Sequence, residues 1–300
     1  MTLAGARIGL GGAQFGLDYG ITNRRGRVDR SALETILTVA AKRGIAFIDT
    51  APAYGNSEAA IGHAARATPF RIITKTPKLA AAQTAADAAL MVDRALRTSL
   101  NRLRVRAADG LLVHDSGDLL GRHGDAIWAA LEAAKANGLT RRIGVSVYDG
   151  AAIDLALARY PLDIVQLPYN VLDDRLDRGG QLDRLANAKV AIHVRSMFLQ
   201  GLLLAEPDDI ADRFGPLRDA VAEFHAWTAQ NNLTPLEAAF AGVLGRPEIE
   251  LCIVGVTSLA ELEQIITVAD RAATLPTASK FSREVPVPDR YLDPSRWSDL

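Results

Sequence analysis

Ala46-Phe47-Ile48-Asp49-Thr50-Ala51-Pro52-Ala53-Tyr54-Gly55 begins as an apolar run, ends that run in a carboxylate, and reaches a tyrosine one short loop later. Two later runs share its form: Ile72-Ile73-Thr74-Lys75 and Leu111-Leu112-Val113-His114. A strand of a parallel sheet is covered on both faces and therefore reads as a continuous apolar stretch. In a βα barrel the residue that ends such a strand sits at the mouth, where catalytic groups collect. Asp49, Tyr54, Lys75 and His114 delivered to one rim would make a proton-transfer site around an activated phenol.

The rest of the chain repeats the rhythm of a short apolar run followed by an amphipathic helix. Strands are expected at 7–10, 45–49, 70–75, 110–114, 142–146, 163–167, 190–196 and 251–255. Helices are expected to begin at Ser31 and to lie near 57–66, 84–103, 122–137, 150–159, 178–187, 216–231 and 258–271. Ser31-Ala32-Leu33-Glu34 reads as a capping box for the first of these, and Gly44 stops it. Regular alternation argues a parallel sheet. About eight units argue closure into a (β/α)8 TIM barrel, with a doubly wound open sheet as the rival architecture. No Pro-, Gly- or Ser-rich linker divides residues 1–300, so a single domain is expected. The stretch 200–216 suits a mobile loop over the mouth. The tail from Pro276 to Leu300, interrupted by Pro286, Pro288 and Pro294, suits an irregular segment wrapped on the barrel.

The apolar fraction of 49% and charged fraction of 23% are those of an ordinary globular enzyme. A formal net charge of −1 gives no electrostatic case for nucleic acid or an anionic membrane. No apolar run reaches membrane-spanning length, and Arg7 and Gly9 interrupt any leader pattern. Cys252 is the only cysteine, so an intrachain disulfide is excluded and a reducing, cytoplasmic setting is expected. His63, His123, His193 and His225 show no metal-ligand spacing, and no metal is expected.

The chemistry of the four rim residues is coherent. A phenol with an ordinary pKa near 10 is a poor proton donor at neutral pH. A neighbouring ammonium favours its phenolate, a carboxylate can hold that ammonium, and a histidine can bind a carbonyl oxygen. Gly9-Leu10-Gly11-Gly12-Ala13-Gln14 looks at first like a dinucleotide fingerprint, but Gln14 stands where its third glycine belongs and no helix follows directly. A glycine-rich loop that lets backbone approach a ligand fits better.

With these segments in view, the chain resembles the aldo-keto reductase family over nearly its whole length. The resemblance rests on Phe47–Gly55, on Thr74-Lys75 and on Leu112-Val113-His114, with Ile143-Gly144-Val145-Ser146, Gln166-Leu167-Pro168-Tyr169-Asn170 and Arg195–Gly201 in support. It implies a TIM barrel, a nicotinamide cofactor across the mouth, and reversible reduction of an aldehyde, ketone or sugar carbonyl. Tyr54 would be the general acid, Lys75 and Asp49 would tune it, and His114 would orient the substrate. Ser146 and Gln166 match positions that hold the nicotinamide carboxamide, and Ser196 matches a pyrophosphate-binding serine. Gly12, Gly201 and Gly255 belong to the loops that would approach the cofactor.

Three departures are informative. Val147 replaces an asparagine usual in the family, and Arg195 replaces a tyrosine that stacks on the nicotinamide. Gly255-Val256-Thr257-Ser258-Leu259-Ala260-Glu261 matches the adenosine-phosphate loop, but Thr257 and Glu261 stand where NADPH-selective members usually carry basic residues. NADH is therefore the expected cofactor, with NADPH the alternative. Ser258 and Glu261 also read as a capping box. Phe15, Tyr19 and Trp297 are candidate walls of the substrate pocket. The rival reading is a cofactor-sensing regulator of the same fold acting through a protein partner, as some members of the broad family do.

Overall fold

The computed structural model describes residues 7–65, 70–273 and 281–300. Eight parallel strands close into a barrel in chain order: β1 (Ile8–Gly11), β2 (Phe47–Asp49), β3 (Arg71–Lys75), β4 (Ala108–Val113), β5 (Thr140–Ser146), β6 (Ile164–Pro168), β7 (Ala191–Arg195) and β8 (Ile249–Gly255). Pairing of Ile8 with Cys252 and of Gly11 with Gly255 shuts the ring. Closure decides between the two architectures considered above: the sheet has no open edge.

Two apolar layers hold the barrel. Phe47, Ile73, Leu112, Ile164, Leu251 and Ile253 point inward and fill its centre. Alternate strand residues such as Ile8, Leu10, Ile48, Ile72 and Val145 point outward against the helix ring. The strand starts, at the end opposite the mouth, carry a charged network. Asp109 accepts from Arg71 (2.9 Å) and Arg142 (2.7 Å), and Arg142 continues to Glu250 (2.7 Å). The buried His193 ring nitrogen Nε2 lies 3.1 Å from Glu250, and that hydrogen bond first, then Arg142, hold the Glu250 carboxyl down at about 2. Conserving geometry at this end serves stability rather than chemistry in a barrel of this kind.

Most expected helices form, and the differences have local causes. The first long helix is Arg30–Lys42 and its cap is Asp29, whose carboxylate accepts from the Ala32 amide; Ser31 donates to Asp29 and Glu34 pairs with Arg30. The capping box expected at Ser31 is thus absent, because a stronger cap stands two residues earlier. An additional helix, Pro235–Leu244, lies between β7 and β8, opened by a capping box between Thr234 and Glu237.

The 200–216 stretch is irregular as expected but well anchored. It makes three short 3-10 turns, and Leu202, Leu203, Ile210 and Phe214 are buried with Tyr291, Leu292 and Trp297 of the tail. The Trp297 indole donates to the Tyr291 carbonyl (3.0 Å) and meets Phe214 edge-on. Trp297 therefore fastens the tail and does not wall the mouth. The start of the tail at Pro276 and the expected end of a helix at Arg66 lie outside the described residues. Among the described residues no helix is long and apolar enough to cross a membrane.

Candidate active site

The site is built on strand ends. Asp49 closes β2, almost fully buried, and its carbonyl accepts from the Gly12 amide (2.7 Å). The chain then turns at once, with the Tyr54 amide donating to Ala51 and the Ser57 amide donating to Tyr54. The Ser57 hydroxyl donates to the Gly12 carbonyl (2.7 Å) and pairs with Thr50 (2.9 Å), tying the tyrosine loop to the loop after β1. The two backbones touch: a Cβ on Gly16 would lie 1.8 Å from the Tyr54 carbonyl oxygen. Only glycine allows that approach, and with it the position of the phenol.

Lys75 ends β3 at 1% exposure. Its Nζ donates to both Asp49 carboxylate oxygens (2.8 and 2.7 Å) and to the Thr50 carbonyl (3.0 Å), and it lies 5.1 Å from the centre of the Tyr54 ring. Burial alone would strip its proton. The charge and hydrogen bonds of Asp49 and Tyr54 outweigh that and raise its pKa, so Lys75 stays charged. At Tyr54 the balance falls the other way. Burial pushes the phenol up, Lys75 pulls it back only in part, and the net shift is upward. Lys75 does favour the phenolate as expected, but burial outweighs it, and at rest the phenol is protonated, as a proton donor must be.

His114 stands just past β4, its ring edge-on to Tyr54 with centroids 5.8 Å apart, and its amide donates to the Thr76 hydroxyl (3.2 Å). Burial first, then Lys75, depress its pKa to about 4. The imidazole is neutral at pH 7 and free to hydrogen-bond a carbonyl oxygen. A stability consequence follows. The unfolded imidazole takes its proton near 6.5 and the folded one only near 4. Stability should decline as pH falls through that window, because the unfolded chain binds the extra proton there, and level off below it. His114→Asn is expected to flatten that part of the urea-midpoint profile relative to wild type; parallel profiles would refute it.

Above these groups opens a cavity of about 460 Å³. Asp49, Tyr54 and His114 line it, and so do Gly12, Ser146, Gln166, Arg195, Ser196, Gly201, Gly255, Thr257 and Glu261. Lys75 lies beneath the lining, and Ser258 is outside it, capping the helix Leu259–Ala272 by accepting from the Glu261 amide (3.2 Å). Tyr19 reaches the wall; Phe15 is buried in the core and does not. Tyr148 and Leu236 are wall residues that sequence reasoning did not find.

Gln166 tests whether a nicotinamide fits. Its amide nitrogen is spent on Asp49 (2.7 Å), while its Oε1 is buried without a partner and its side chain faces the cavity. A lone buried acceptor is costly, and a carboxamide NH2 would satisfy it. The turn after β7 is strained in a way typical of ligand loops: Ser196 (φ 60°), Leu199 (47°), Gln200 (54°) and Gly201 (95°) are all left-handed. Thr22 of the first loop donates to the Gln200 carbonyl (3.1 Å) and braces it. At the far end the Glu261 carboxylate accepts from both the Thr257 amide and hydroxyl (2.7 Å each). Arg195 covers the Tyr148 ring at 4.0 Å and donates to the Val147 carbonyl (2.9 Å). The ring under its guanidinium is thus the protein's own.

Comparison with known proteins agrees with this fold. The family model described as the aldo/keto reductase family matches residues 7–278. An aldo-keto reductase of Mycolicibacterium smegmatis is 37% identical over 122 residues, 40% of this chain and 41% of that protein. One from Mycobacterium ulcerans is 36% identical over 150 residues, 48% of this chain and 51% of that protein. The chain thus spans about half or less of the length of the curated relatives it matches. Among solved structures, a putative aldo-keto reductase from Pseudomonas aeruginosa superposes with a TM-score of 0.66 at 24% identity, covering 89% of this chain and 90% of that one. The holo form of an aldo-keto reductase from Bacillus halodurans gives 0.69 at 18% identity over 91% and 88%. Those two likenesses concern the barrel, whereas the family model spans the strand ends and loops that build the site. The chain belongs to the aldo/keto reductase family.

Proposed function

We propose that this protein, as a single barrel domain, reduces an aldehyde, ketone or sugar carbonyl with a nicotinamide cofactor. The observation that carries the reading is a protonated phenol, Tyr54, set beside a buried Asp49–Lys75 pair and a neutral imidazole at the floor of one cavity. When bound, the reduced nicotinamide supplies a hydride to the carbonyl carbon. Ser146 and the unpaired Oε1 of Gln166 suit its carboxamide, and the Ser196–Gly201 turn suits its phosphates. His114 orients the substrate oxygen, and Tyr54 gives that oxygen its proton. Lys75, held charged by Asp49, stabilises the phenolate left behind. A buried lone cysteine, Cys252, suits a reducing compartment such as the cytoplasm.

NADH is the proposed partner of choice. A 2′-phosphate needs a cation, and the loop where it would rest presents the Glu261 carboxylate, hydrogen-bonded by Thr257 and paired with no Lys or Arg among the described residues. Fluorescence titration should show NADH binding at least tenfold more tightly than NADPH. The reverse order would sink the NADH assignment and direct attention to Arg24 and Arg25, which reach the same cavity from the first loop. Turnover of a carbonyl panel with the preferred cofactor tests the reaction itself. Cofactor binding with no turnover, together with a copurifying protein, would favour the sensing role instead.

A further inference from the structure

We propose that Arg195 selects the substrate: the carbonyl compound reduced here carries a carboxylate, which the guanidinium binds while the carbonyl oxygen rests on Tyr54 and His114. The inference rests on the reductase reading and narrows it to oxo acids.

Arg195 ends β7, is half-buried, and faces the cavity. It lies over the Tyr148 ring at 4.0 Å, with one hydrogen bond to the Val147 carbonyl (2.9 Å) and a long one to the Ser196 hydroxyl (3.5 Å). A guanidinium has five N–H donors, so most of its capacity is unspent. Other half-buried arginines here have carboxylate or carbonyl partners. Arg142 pairs with Asp109 and Glu250, Arg175 with Asp173, and Arg246 with Asp177. Arg7 donates to the carbonyls of Leu244, Arg246 and Ile249. Among the described residues no carboxylate pairs with Arg195. A half-desolvated cation held rigid by an aromatic face and open toward a cavity is built to receive an anion.

Its position says which anion. The positive charge of Arg195 acts on Tyr54, Tyr19 and His114, two of which handle the carbonyl oxygen. A carboxylate a few bonds from the reacting carbon would meet the guanidinium with that oxygen already on the phenol. Hydride adds to the carbonyl carbon, Tyr54 protonates the oxygen, the nicotinamide is oxidised, and the carboxylate is unchanged.

The test uses 3- and 4-formylbenzoate against their methyl esters, with NADH, in wild type, Arg195→Leu and Arg195→Lys. Wild type should favour at least one acid over its ester by tenfold or more in kcat/KM. Arg195→Leu should bring that ratio near one, chiefly through KM, and Arg195→Lys should restore part of it. NADH affinity is measured alongside. If Arg195→Leu lowers NADH affinity and acid and ester turnover together, the guanidinium serves a cofactor phosphate and the proposal falls. An ester preference in wild type also overturns it while leaving the reductase reading intact. Calorimetry with benzoate and benzamide on the NADH complex covers the case of no turnover. Benzoate binding that Arg195→Leu removes would uphold the anion site even where neither aldehyde is turned over. No preference for benzoate over benzamide would sink the anion site and leave the reductase reading to the carbonyl panel.

Discussion

Tyr54→Phe is expected to lower kcat for carbonyl reduction by roughly 10²–10⁴-fold, the usual contribution of one positioned general acid. The ring keeps its edge contact with His114 and its place over Lys75, so only the transferable proton is lost. NADH affinity should change less than threefold, because the phenol contributes to the chemical step and not to the cofactor's seat. The protonated resting state of Tyr54 sharpens the expectation. Burial holds the phenol up while Lys75 draws it down, which suits a group that must give a proton and then survive as phenolate beside an ammonium. An activity loss smaller than about fivefold would move the proton donor elsewhere, and neutral His114 would be the next group to test. A matching fall in NADH affinity would instead show that the substitution had disturbed the cavity.

The residues that proved readable in advance are those whose burial the strand pattern imposes. Phe47-Ile48 and Ile72-Ile73 are apolar on both faces because each strand lies between barrel centre and helix ring, and the charged residue at each strand's end has nowhere to sit but the mouth. Tyr54 was readable for a related reason: few residues separate it from Asp49, so the turn cannot carry it far. Features set by contacts distant in sequence were not. Arg195 settles on Tyr148, a partner 47 positions away, and nothing in either segment announces the pair. Gln166 is drawn to Asp49 across 117 positions, which costs it one of the two groups a carboxamide would use. Trp297, a candidate wall of the cavity, packs into the tail instead, where the Phe214 ring meets it edge-on. The helix Pro235–Leu244 had a local signal, the Thr234-Pro235-Leu236-Glu237 start, but it is apolar on most sides and lacks the polar stripe that marks a surface helix.

The buried ion pair carries the second large effect, and it separates stability from chemistry. Lys75 spends its ammonium on both oxygens of Asp49 and on the Thr50 carbonyl, 5.1 Å from the centre of the Tyr54 ring, while Asp49 also accepts from Gln166. Asp49→Ala removes the carboxylate that, alone among the described residues, pairs with an ammonium at 1% exposure. Breaking such a pair from one side costs about 3–5 kcal/mol, since it leaves an uncompensated buried charge. The lysine would then shed its proton, and a neutral amine cannot stabilise the Tyr54 phenolate. Urea unfolding should register the stability loss and steady-state kinetics the loss of turnover. Lys75→Met should be destabilising as well, through the stranded Asp49 carboxylate. The double variant Asp49→Asn with Lys75→Met removes both charges in a similar volume and should recover much of the stability lost in either single. Its activity should stay near that of the singles, because the phenol has lost its ammonium in every case. Additive stability losses in the double would mean that the two charges are not coupled across their 2.7 Å contact. Recovered turnover would mean that Tyr54 works without them.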